Sequence, residues 1–64
     1  MLPPFDIFLV FKDGTAIGME SAPTVDEARV RVHKLGAYRS GKYIIVDQKT
    51  GNKIQITIGQ AKTG

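Results

Sequence analysis

FDIFLVFKDG, residues 5–14, decides how the chain folds. Aromatic and branched residues fill six of its first seven positions, and Asp13-Gly14 supplies the positive φ angles of a tight hairpin, so a strand that doubles back is expected. Thr15–Glu20, TAIGME, is the returning strand. Alternation sets Phe5, Ile7, Leu9 and Phe11 on one face of the first strand and Asp6, Phe8, Val10 and Lys12 on the other. The first face is core. The second is apolar in the middle and charged at the ends, the pattern of a central strand whose back is partly covered. Ser21, Ala22 and Pro23 are expected to break the pairing, because proline cannot donate to a ladder.

A helix start follows at Thr24 and Glu27, whose T-x-x-E spacing lets the threonine hydroxyl accept from the third helical amide. At 100° per residue, Val25, Ala28, Val32 and Leu35 fall within an arc of about 80°, enough to lay a helix on a sheet. Val30 points away, between Arg29 and His33. Gly36 reads as the residue just past the helix end, with Lys34 near the negative end of the dipole. Tyr43–Asp47, YIIVD, and Lys53–Ile58, KIQITI, then form two further strands joined by turn residues 48–52. Residues 59–64 carry no apolar pattern and are expected to be a frayed tail. The chain is thus one domain over residues 1–64 with an ordered core at 5–58.

The expected fold is α+β, in the order ββαββ: a four-stranded sheet with one helix packed on one face. This layout resembles the β-grasp of the immunoglobulin-binding domain of protein G, with the DGT turn, the T-x-x-E helix start and the second hairpin at corresponding places. The resemblance covers residues 5–58 and is one of layout. It implies that the first and last strands lie side by side and parallel in the centre; a wholly antiparallel order is the alternative. It implies no antibody binding, since fold does not give function. The chain also looks like short bacterial proteins whose activity their strands do not reveal. Ubiquitin-like sulfur carriers share the β-grasp, but they need a C-terminal Gly-Gly where this chain has Thr63-Gly64.

Sixty-four residues support one layer of core, and with no cysteine and one histidine the usual reinforcements of a small domain reduce to association. At 42% hydrophobic and 23% charged, the composition is that of a folded domain. No apolar run reaches a bilayer span of about 20 residues, and the start of the chain lacks the basic and small-residue marks of a signal peptide, so no membrane contact and a cytoplasmic location are expected. Charge is split along the chain. Residues 1–28 hold one basic and five acidic side chains, net −4; residues 29–64 hold eight basic and one acidic, net +7. Either the halves fold against each other and partly neutralise, or the second exposes a basic surface to an anionic partner.

GAYRSGKY, residues 36–43, falls one residue short of the phosphate-loop pattern, with Tyr43 where Ser or Thr should bind magnesium. The context is also reversed: a helix ends at the glycine and a strand begins at the lysine, so no helix N-terminus faces an anion. His33 sits on the outer helix face without a neighbouring nucleophile, and the six acids are scattered over turns and the helix start. No cysteine or His-carboxylate spacing offers a metal site. The sequence therefore carries no pattern of catalysis and none of cofactor or metal binding, and no enzyme is expected.

Two partner readings remain. One helix cannot cover two apolar faces, so Phe8 and Val10 mark a protein interface, and for a small protein the commonest partner is a second copy in a two-fold homodimer. Tyr43 and Ile45 join them if Ile44 and Val46 turn to the helix; the opposite assignment fits the alternation equally well. Shielding by Gln55, Thr57 and the stems of Lys12 and Lys53 is the monomeric alternative. The second reading is nucleic acid without sequence specificity, gripped by Arg29, Lys34, Arg39 and Lys42, with Tyr38 or Tyr43 to stack. The helical arginines spread over about 160° and Arg31 can pair with Glu27, which weakens any single basic stripe.

Overall fold

The computed structural model describes residues 3–59. Of the tail expected at 59–64, residues 60–64, and with them the sulfur-carrier comparison, lie outside the described residues. Strands β1 (Phe5–Val10) and β2 (Ala16–Ala22) form the first hairpin, helix α1 (Val25–Tyr38) crosses over, and β3 (Gly41–Asp47) and β4 (Lys53–Ile58) form the second. The order across the sheet is β2-β1-β3-β4, with every neighbouring pair antiparallel. The expected ββαββ fold with one helix on one face is formed, in its antiparallel alternative. The parallel central pair that the β-grasp layout implies is absent: β3, not β4, lies beside β1. The physical reason lies in the side chains. β1 and β3 are apolar on both faces and take the two central positions, whereas β4 alternates isoleucine with Gln55 and Thr57 and suits an edge.

The first turn closes through Phe11 N–H to the Thr15 carbonyl at 2.8 Å and Gly14 N–H to the Phe11 carbonyl at 2.9 Å. Gly14 takes a φ of 92°, which a side chain would resist. Asp13 Oδ1 accepts from the Thr15 amide at 3.0 Å and the Thr15 hydroxyl at 2.7 Å. β2 continues past the expected break: Ser21 and Ala22 pair with Asp6 and Phe5, and only Pro23 stops it. Between Ile7↔Glu20 and Phe8↔Gly18 the register shifts, leaving Met19 as the extra residue of a β-bulge.

Thr24 caps the helix as expected, its hydroxyl accepting from the Glu27 amide at 3.1 Å. The far end differs from expectation. The helix runs through Gly36 to Tyr38, where the Arg39 amide donates to the Leu35 carbonyl at 2.9 Å. Gly36 is there because the helix comes down onto β4: a Cβ at this position would stand 2.6 Å from Ile58 Cγ2. The helix, about 21 Å long, touches all four strands. Beneath it lies the core of Ile7, Leu9, Ala22, Ala28, Val32, Tyr43 and Ile45, edged by partly buried Phe5, Phe11, Leu35, Ile54, Ile56 and Ile58.

Candidate protein interface on the open sheet face

The register fixes what the side of the sheet away from the helix displays. Residues directly opposite one another share a face, so that side is built from three rows running from β2 to β4. The first is Ala16, Val10, Lys42 and Thr57; the second Gly18, Phe8, Ile44 and Gln55; the third Ser21, Asp6, Val46 and Lys53. Phe8, Val10, Ile44 and Val46 therefore make one contiguous apolar patch at the centre, and each is only half-buried. A shallow depression of about 200 Å³ is lined by these four with Ala16 and Lys53. Gly18 keeps the patch open on the β2 side, where the edge of the Phe8 ring lies 3.7 Å from the position its Cβ would take.

Polar groups bound the patch. Lys42, Thr57, Gln55 and Lys53 stand along the β4 side, all exposed. At the opposite corner Asp6 is held by two hydrogen bonds, from the Ser21 hydroxyl and from Gln48 Nε2, both at 2.6 Å. Asp6 is the one carboxylate on this side among the described residues, and both of its oxygens are engaged within the chain.

Two of the four expected interface residues lie elsewhere. Tyr43 and Ile45 are 0% and 1% exposed, packed under the helix opposite Leu9 and Ile7. Strand alternation then turns Ile44 and Val46 outward to join Phe8 and Val10. The pairing partner decides the matter: Leu9 and Ile7 already face the core, so whatever stands opposite them does too. The sequence carried one further signal in the tyrosine hydroxyl, which needs a partner when its ring is buried. Tyr43 donates to the Arg39 carbonyl at 2.6 Å and so satisfies a backbone acceptor just beyond the helix end. In GAYRSGKY the residue that occupies the magnesium-ligand position thus anchors the helix exit.

The four expected anion-contact residues are not brought onto one surface. Arg29 and Lys34 are exposed on the helix, about 140° apart around its axis. Arg39 follows the helix, with its guanidinium carbon 5.3 Å from the centroid of the Phe11 ring, a cation–π contact. Lys42 projects from the other side of the sheet, because it alternates with Tyr43. Arg31 is committed to the fold: it donates to the Ser21 carbonyl at 2.8 Å and lies 3.4 Å from Glu20 and 3.9 Å from Glu27.

Among the described residues, two concavities lie on the helix side. One of about 300 Å³ lies where the helix leaves a corner of the sheet uncovered, lined by Phe5, Val25, Ile45 and Ile54 with Asp47 and Asn52. The other, of similar volume, gathers His33, Tyr38 and Ser40 around Gly36 and Ile58 at the helix end. Among the described residues no three His, Asp or Glu side chains are grouped to hold a metal ion, and no helix is long and apolar enough to cross a membrane. No protein-family model matches the chain, and neither a curated protein nor a solved structure matches it.

Proposed function

We propose that the chain is a non-enzymatic protein-interaction module that self-associates through the open face of its sheet. One observation carries the reading: Phe8, Val10, Ile44 and Val46 are contiguous on the side that the helix does not cover. Contiguous apolar side chains ringed by polar ones are the usual mark of a contact surface. A second copy is the occupant this face favours. Patch meets patch about a two-fold axis without either side needing a foreign complement, and sheets packed face to face interdigitate such side chains at about 10 Å separation.

The size of the face sets the strength. Four strands spaced by about 4.8 Å, each about six residues long at 3.3 Å rise, make a face of about 400 Å². That is about half of what one partner contributes to a stable interface of standard size. Association through this face alone is therefore weak and concentration-dependent. Dilution followed by methyl NMR tests it: Val10, Ile44 and Val46 resonances shift with concentration, while Val30, exposed on the outer helix face, stays still. Shifts at Val30 with none at the other three contradict the reading.

A further inference from the structure

The two edges of this sheet are built differently. β2 carries the bulge at Met19, and Glu20 on its helix-facing side is drawn toward Arg31. Bulges and inward charges are devices that keep an edge from accepting another strand. β4 has neither. It pairs with β3 in unbroken register from Lys53 to Ile58, holds no proline, and after Lys53 carries no charge over IQITI.

Backbone alternation shows what β4 offers. The Asp47 amide donates to the Asn52 carbonyl at 2.8 Å. That pair is in the same register as Val46↔Lys53 and Ile45↔Ile54. In an antiparallel ladder every second pair exchanges its hydrogen bonds, so Ile54, Ile56 and Ile58 turn their amides and carbonyls toward β3. Lys53, Gln55 and Thr57 turn theirs outward, to the open edge.

We propose that β4 pairs antiparallel with β4 of a second copy, joining two chains into one continuous eight-stranded sheet. The edge is self-complementary. A two-fold axis normal to the sheet keeps both helices on the same side and sets isoleucine against isoleucine there, with Gln55 and Thr57 against each other on the open side. The same axis carries the two Lys53 ammonium groups to opposite ends of the seam, so the one charge of the strand does not oppose itself. The bulged β2 edge stays free, and the sheet stops at eight strands instead of growing into a fibre.

The seam also completes the open face. Two open faces side by side span about 800 Å² by the same strand spacing, the contribution of one partner to an interface of standard size. The stacking of two such sheets rests on the function proposed above; the seam does not. With the stacking axis crossing the seam axis, the assembly closes at four chains.

The two contacts are separated by Phe8→Glu, which charges the face, and Gln55→Pro, which removes an outward amide that the ladder with β3 does not use. Circular dichroism verifies that both variants fold. Sedimentation equilibrium at high micromolar concentration is expected to give four chains for the wild type, two for Phe8→Glu and at most two for Gln55→Pro. In Phe8→Glu, the Gln55 and Thr57 amides exchange with solvent at least ten-fold more slowly than at a dilution where the pair dissociates. A folded, monomeric Phe8→Glu chain whose Gln55 and Thr57 amides exchange freely overturns the seam and leaves the edge to a strand of another protein. A Phe8→Glu chain that is at least dimeric and has the wild-type mass instead overturns the stacked face and leaves the seam intact.

Discussion

Gly36 shows how one position can be fixed by a contact distant in sequence. Inside a helix, glycine gives up about 1 kcal/mol relative to alanine, so Gly36→Ala would stabilise an isolated helix. Here the added methyl would stand 2.6 to 2.8 Å from Cγ2, Cγ1 and Cβ of Ile58. Overfilling a packed site costs about 1 to 3 kcal/mol, and Ile58 is held in β4 by its pairing with Gly41 of β3. The clash outweighs the propensity gain, and Gly36→Ala is expected to lower stability by about 1 kcal/mol in urea denaturation. An unchanged or raised midpoint would show that the helix lifts off β4 at little cost. Placing Gly36 just past the helix end was reasonable from sequence, since glycine is common there; the reason it stands within the helix belongs to Ile58, 22 positions away in sequence.

At the scale of elements, the first hairpin responds to acid through Asp13. Its carboxyl is held below the ordinary 3.8 first by the Thr15 amide and then by the Thr15 hydroxyl, with slight desolvation opposing. A depressed carboxylate favours the folded turn at pH values above the ordinary one, and that contribution is lost as pH falls through the lowered one. The Thr15 amide resonance is therefore expected to titrate with a midpoint below 3.8; a midpoint at or above that value would contradict the contact. The elements themselves were legible. The DG turn, the T-x-x-E cap and the alternation of KIQITI each have a local cause and appear where the residues place them. Strand order was not, since the parallel and the wholly antiparallel orders both stood open; the reason for the observed one lies in YIIVD, which like FDIFLVF is apolar on both faces and suits the centre. Layout resemblance pointed to a parallel pair; side-chain economy placed β3 beside β1. What the sequence left open was which face of β3 meets the helix. YIIV offers an apolar pair on either side, and only the register with Ile7 and Leu9 assigns Tyr43 and Ile45 to the core.

For the whole molecule, the helix covers one side of a sheet whose two central strands are apolar on both. The charge asymmetry read along the chain is partly absorbed by the fold, since Arg31 from the basic half ties to Glu20 and Glu27 of the acidic half. Of the cations expected to contact an anion, Lys42 lies on the far side of the sheet from Arg29 and Lys34. The apolar patch, by contrast, is gathered: Phe8, Val10, Ile44 and Val46 come from two strands and meet at one place. Self-association through that patch is the central claim, and sedimentation equilibrium of the wild type beside Phe8→Glu tests it most directly. The account predicts that the wild type is heavier than a single chain at high micromolar concentration and that Phe8→Glu, folded by circular dichroism, is lighter than the wild type. A wild type that stays monomeric, or a Phe8→Glu chain of equal mass, would contradict it.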